Sequence, residues 1–93
     1  MKKINNNMTQ EEQMDAILIE TLGALGKPSL IDDVMQYAFK NNKDVEKPYA
    51  LLYDLRWAQT RLRKAGITIA TPAGYGNFNL WGLTEKGWRK VNG

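Results

Sequence analysis

The apolar residues of this chain recur at helical spacing in three stretches and then alternate at strand spacing in two. The first helical stretch predicts a helix over about residues 10–25. It begins at a capping-box pattern, Thr9 followed by Glu12, and it ends at Gly26. The residues before it, 1–8, are rich in asparagine and lack periodicity, so we expect a disordered tail there.

A second helix is predicted to end at about Lys40. Ser29 and Asp32 have the capping-box spacing at its start, and a break at residues 27–28 could supply one brief strand. Residues 41–47 are predicted to form a polar turn that leads into the third helix.

The third helix, over residues 49–65, has two faces of opposite character, with Pro48 suited to its first position. The apolar face consists of Leu51, Leu55, Ala58, Leu62 and Ala65. The opposite face carries Tyr49, Tyr53, Arg56, Thr60, Arg63 and Lys64, with Trp57 and Arg61 on one flank. We expect the first face to meet the core and the second to lie in solvent.

After this helix the period changes to that of strands. Residues 67–70 and 78–83 alternate, and residues 71–77 between them are dense in turn formers, which together predict a β-hairpin. Thr84 is placed to cap a short C-terminal turn or helix. Two of the three tryptophans, Trp81 and Trp88, are expected in the core. The fold class is therefore α+β, in one domain over residues 9–93.

Composition excludes several kinds of chemistry. The 93 residues include no cysteine and no histidine, so disulfides, Cys–His and Ser–His catalytic pairs and the usual zinc ligands are all missing. We expect no enzymatic activity, no metal and no cofactor. No apolar run approaches the roughly 18 residues of a membrane span, and the start lacks a signal-peptide pattern, so we expect a cytoplasmic protein without a membrane partner.

Charge is distributed unevenly along the chain. Residues 1–55 carry six lysines and nine carboxylates, a balance of −3, whereas residues 56–93 carry seven basic residues and one acid, a balance of +6. This asymmetry favours a polyanion partner on one side of the molecule.

Three helices followed by a hairpin, with a basic third helix, is the plan of a winged helix-turn-helix. Residues 55–67 read Leu-Arg-Trp-Ala-Gln-Thr-Arg-Leu-Arg-Lys-Ala-Gly-Ile, and residues 80–87 read Leu-Trp-Gly-Leu-Thr-Glu-Lys-Gly. This pair of segments resembles the N-terminal winged-helix domain of Mrr-type restriction endonucleases, over about residues 9–90. The resemblance implies a DNA-binding domain of the kind that the family attaches to a nuclease. The chain ends six residues after Gly87 and has no nuclease motif, so we expect the DNA reader alone.

The expected function is therefore binding of double-stranded DNA, with the third helix in the major groove. Arg56 could read a guanine or hold a phosphate, and some of Arg61, Arg63 and Lys64 are expected to contact phosphates, with plain solvation as the alternative. The full set of candidate contacts is Tyr49, Tyr53, Arg56, Trp57, Thr60, Arg61, Arg63 and Lys64, with Tyr75 and Asn77 from the hairpin tip.

The hairpin leaves a second interpretation open. Residues 71–83 contain no lysine or arginine, so the hairpin could serve a homodimer or a protein partner, and the chain could be an interaction adaptor. Among DNA-binding roles, transcription regulation and an accessory role in restriction or phage defence both fit.

Overall fold

The structure is a computed structural model that describes residues 9–42 and 48–92. Over these residues the chain forms four helices and a three-stranded antiparallel sheet. Their order is α1 (Gln10–Leu25), β1 (Ser29–Leu30), α2 (Ile31–Asn41), α3 (Pro48–Lys64), β2 (Thr68–Pro72), β3 (Asn79–Leu83) and α4 (Glu85–Asn92). The α+β class is confirmed, but the details differ from the predicted three helices and two-stranded hairpin. The predicted arrangement was incomplete, since β1 adds a third strand and the C-terminal segment is a helix of two turns. The predicted tail at residues 1–8 and the turn residues 43–47 lie outside the described residues.

Helix α1 has the boundaries that its caps predict. The Thr9 hydroxyl accepts a hydrogen bond from the Glu12 backbone N–H at 3.1 Å, and the Glu12 carboxylate accepts one from the Thr9 N–H at 2.9 Å. At the other end Gly26 has a φ of 75° and donates its N–H to the Leu22 carbonyl. These contacts are local in sequence, which is why the pattern alone was sufficient.

The start of α2 differs from the prediction. Ser29 does not cap the helix, because it pairs with Trp81 in the sheet and its hydroxyl donates to the Lys27 carbonyl at 2.9 Å. The N-cap residue is Leu30, which has no side-chain hydrogen bond to the helix. The capping-box interpretation of Ser29 and Asp32 was wrong. Ser29 pairs with β3 in the sheet and lies one residue before the N-cap position of α2.

The core lies between the helices and the buried side of β3. Seven of the described core residues are at most 1% exposed: Leu18, Leu22, Val34, Ala38, Leu51, Leu55 and Ala58. From α3, Leu51, Leu55, Ala58 and Leu62 are buried as predicted. Ala65 is exposed instead, because the helix has already ended at Lys64. Trp81 is a core residue at 8% exposed, whereas Trp88 is only half-buried.

The sheet has the order β1-β3-β2. Strands β2 and β3 pair from Thr68 opposite Leu83 to Pro72 opposite Asn79, so β2 begins and ends later than predicted and β3 begins one residue later. The tip turns at Gly74 and Gly76, whose φ angles of 94° and 55° suit glycine.

Residues at the start of α4 form hydrogen bonds with the turn that follows α3. The Thr84 hydroxyl donates to the Gly66 carbonyl at 2.6 Å and accepts the Gly87 N–H at 3.1 Å. The Lys86 ammonium donates to the Ala65 carbonyl at 3.0 Å. A Cβ on Gly87 would lie 2.2 Å from the Ile67 carbonyl oxygen, so a glycine is needed for this close approach. The Leu-Thr-Glu-Lys-Gly segment therefore fixes the C-terminal end of α3.

Candidate nucleic-acid interface

Helix α3 turns its polar side to solvent. Tyr53 is 67% exposed and Trp57 is 63% exposed, and Arg56, Arg63 and Lys64 are exposed as well. Exposed rings of this size can contribute to a contact with a partner, since burying such a side chain is favourable. For Tyr49 only the backbone, within α3, is described, and its predicted contact lies outside the described side chains.

Four of the candidate residues line one shallow cleft on this side of α3. Tyr53, Arg56, Trp57 and Thr60 surround a volume of about 450 Å³ of open space, including the solvent above it. Thr60 is only half-buried, and its hydroxyl donates to the Arg56 carbonyl at 3.2 Å on its own helix. The hydroxyl proton is therefore already used, and its oxygen remains as an acceptor.

The two exposed arginines of α3 are not paired with carboxylates of the described residues. Arg56 lies in the middle of the helix, and Arg63 in its last turn beside Lys64. The last-turn cations also favour the negative end of the helix dipole. Because no carboxylate of the described residues matches their positive charges, all three groups can interact with an anion.

Arg61 is placed differently from the other candidates. Its guanidinium donates to the Asp15 carboxylate at 2.6 and 3.2 Å and to the Glu11 carbonyl at 3.3 Å. Glu11 adds a carboxylate contact at 3.8 Å. The hydrogen bond that Arg61 donates to Asp15 raises the pKa of Arg61 above its ordinary value, and burial opposes this rise only partly. Arg61 thus ties α3 to α1, and its charge is largely neutralised within the molecule.

The hairpin tip has no charged group to offer. Tyr75 and Asn77 are both exposed, and the Tyr75 ring lies against the Phe78 ring with centroids 5.5 Å apart. Phe78 is itself 56% exposed. The structure therefore presents two separate surfaces, a cationic and aromatic face on α3 and an uncharged aromatic tip.

Sequence reasoning missed Gln59, which lies beside the apolar stripe of α3 and is 4% exposed. Its side-chain N–H donates to the Ile69 carbonyl at 3.3 Å, so it joins α3 to the open edge of β2. The position four residues after Leu55 was the available signal, because that spacing places Gln59 near the same helix face.

Neither a metal site nor a membrane span is found in the part of the chain that the structure describes. Its aspartates and glutamates form no cluster of three that could hold an ion. None of its helices combines the length and apolar character needed to cross a bilayer.

Comparison with known proteins finds no family model that matches the chain and no significant sequence match among curated proteins.

Proposed function

We propose that this chain is a winged-helix protein that binds double-stranded DNA by docking α3 in the major groove. The observation that carries the proposal is the outward face of α3, where the guanidinium groups of Arg56 and Arg63, which pair with no carboxylate of the described residues, lie on the same helix as two exposed aromatic rings. A helix with its side chains is about 10–12 Å wide and the major groove of B-DNA is about 12 Å wide, so such a face can enter it.

The side chains of α3 would divide between positioning and reading. Arg63 and Lys64, in the last turn, would hold phosphates and fix the helix in the groove. Arg56 is four residues from Thr60 and shares its cleft with both aromatic rings, so it would reach base edges, where a guanine can accept two hydrogen bonds. Tyr75 and Asn77 could donate to phosphates without supplying charge.

The biological context follows from the resemblance to Mrr-type winged-helix domains. A cytoplasmic DNA reader of this kind would act in transcription regulation or as an accessory in restriction or phage defence. A single winged helix of this size would bury only about 600–1,000 Å² on DNA, so a homodimer or a second DNA-binding partner would increase its specificity.

Salt dependence of DNA binding tests the proposal. A fluorescent random-sequence duplex is titrated with protein, and the anisotropy is measured at salt concentrations between about 50 and 200 mM. Each neutralised phosphate makes the fall of log K with log salt steeper by about 0.9. Contacts from Arg56, Arg63 and Lys64 therefore predict a negative slope of magnitude between about 2 and 3. Replacing Arg56 or Arg63 with glutamine should lower the slope by about 1 each.

Arg61→Gln is the matched control, because it removes the same charge from the same helix. Its guanidinium is already held by Asp15, so the slope should stay within the error of the wild-type value. If Arg56→Gln, Arg63→Gln and Arg61→Gln reduced the salt slope equally, the slope would reflect the total charge of the protein and not contacts from particular arginines. If the anisotropy of the duplex did not rise at the lowest salt concentration, DNA binding would be refuted.

A second candidate function, a protein-interaction adaptor, is favoured by the hairpin tip. Tyr75 and Phe78 expose more than half of their surface beside each other, and no basic residue accompanies them in the hairpin. Failure to bind duplex at low salt, together with self-association that Phe78→Ser abolishes, would support this function instead.

A further inference from the structure

A second and larger concavity lies on the other flank of Trp57. We call it the α1–α3 groove; it is lined by Gln10, Glu11 and Met14 from α1 and by Asp54, Trp57 and Arg61 from α3. Its open space, including the solvent above it, is about 840 Å³, against about 450 Å³ for the cleft. Trp57 is shared with the cleft on the DNA-facing side of α3, so the two concavities meet at one indole ring.

The groove is negative, although it borders the basic half of the molecule. Glu11, Asp54 and the nearby Asp15 supply three carboxylates against the single guanidinium of Arg61, which leaves a formal charge of −2. Arg61 is committed to Asp15 at 2.6 Å. The Glu11 side chain is 75% exposed, and Asp54 is half-buried and accepts a hydrogen bond from the Gln10 amide at 3.3 Å. Asp54 has no ion pair within the described residues, and Glu11 lies 3.8 Å from a guanidinium that Asp15 already holds.

The wall of the groove is aromatic and apolar. The Trp57 indole is 63% exposed, and the half-buried Met14 lies on the opposite helix. An indole face attracts an ammonium or a guanidinium group, and the aliphatic stem of a lysine or an arginine packs well against apolar side chains. A carboxylate pair beside an open indole therefore suits a basic side chain, and it repels a DNA phosphate.

We infer that the α1–α3 groove binds a lysine- or arginine-bearing segment of a partner protein. The cationic head group lies over Trp57 and between Glu11 and Asp54, and the stem contacts Met14. The inference does not depend on DNA binding. Because Trp57 lines both concavities, an occupied groove would compete with those DNA contacts that use this ring.

The test uses the whole chain, labelled with ¹⁵N, and two blocked synthetic peptides. One peptide contains leucine, glycine and two arginines, and the other carries glutamates in place of the arginines. The arginine peptide should shift the backbone amide signals of Glu11, Met14 and Asp54 in a saturable way, and the glutamate peptide should not. Substituting Glu11→Gln together with Asp54→Asn keeps the side-chain shapes. It should raise the dissociation constant of the arginine peptide about five- to tenfold.

The matched control is Asp32→Asn with Asp33→Asn, which removes two exposed carboxylates from the first turn of α2. It should leave peptide affinity unchanged, and circular dichroism should show that both double variants are folded. DNA binding, measured on the same variants, should survive the groove substitutions, so the two functions can fail separately.

Three results would overturn the inference. One is the absence of saturable binding, and another is equal binding of the two peptides. The third is a concentration-dependent dimer of the chain alone that the groove variant dissociates, because a second copy would then be the occupant.

Discussion

Replacing Gly87 with alanine should destabilise the fold more than any other glycine substitution within its helices. The new Cβ would lie 2.2 Å from the Ile67 carbonyl oxygen and 2.9 Å from a methyl carbon of Leu83. The carbonyl belongs to the backbone that joins α3 to β2, so it cannot rotate away as a side chain would. Overpacking of this kind costs about 1–3 kcal/mol, and contact with the backbone places the cost at the upper end.

The higher helix propensity of alanine offsets part of that cost, by up to about 1 kcal/mol relative to glycine. The net loss at Gly87 is then about 2 kcal/mol, which lowers the Tm of a domain of this size by roughly 8–16 °C. Thermal unfolding followed by circular dichroism measures it directly.

Gly23→Ala is the matched comparison, because it is also a glycine-to-alanine change inside a helix. There the nearest atoms are the methyl carbons of Val91, at 3.0 and 3.1 Å, and Val91 is 40% exposed. A partly exposed side chain near the end of α4 can move by a few tenths of an ångström, so the helix preference of alanine should leave the Tm unchanged or raised. If Gly87→Ala were no less stable than Gly23→Ala, the proposed close approach of α4 to Ile67 would be wrong.

The remaining predictions concern side chains whose contacts are specific. Thr84→Val should cost about 1–2 kcal/mol in urea unfolding because it removes both hydroxyl contacts, whereas Thr60→Val, whose hydroxyl bonds only its own helix, should change stability by less than about 0.5 kcal/mol. Arg61→Gln should cost about 1–2 kcal/mol, since it breaks a half-buried charged hydrogen bond between α1 and α3. This loss of stability should be the same at every pH from neutral to mildly alkaline. The pKa of Arg61 is raised on folding, so its contribution to stability is complete below the unfolded-state pKa and disappears only as the pH rises through the folded-state pKa. Tyr75→Ser with Phe78→Ser should leave the Tm nearly unchanged, and because no charge is altered it should also leave the salt slope of DNA binding unchanged.

The parts of the fold that sequence predicted are those fixed by local contacts. The capping box of Thr9 and Glu12 and the left-handed Gly26 set the ends of α1 within the helix itself. The four-three-four spacing from Leu51 to Leu62 was enough to identify the buried face of α3.

The parts that sequence did not predict depend on distant pairing. Ser29 and Leu30 become a strand only because β3, fifty residues later, lies beside them. Arg61 looked like another surface cation on α3, but its partner Asp15 is 46 residues away on α1. The α1–α3 groove escaped notice for the same reason, since it exists only where the two helices pack together. Periodicity places a side chain on a face and does not say what meets that face.

The proposed function requires that the outward face of α3 contacts DNA. The most direct measurement is a titration of the ¹⁵N-labelled chain with a short duplex, followed through its backbone amide signals. We expect the largest shifts at Tyr53, Arg56, Trp57 and Arg63, with small shifts at the N-terminal turns of α1. Shifts confined to the hairpin tip or to α1, with α3 unperturbed at saturation, would contradict it.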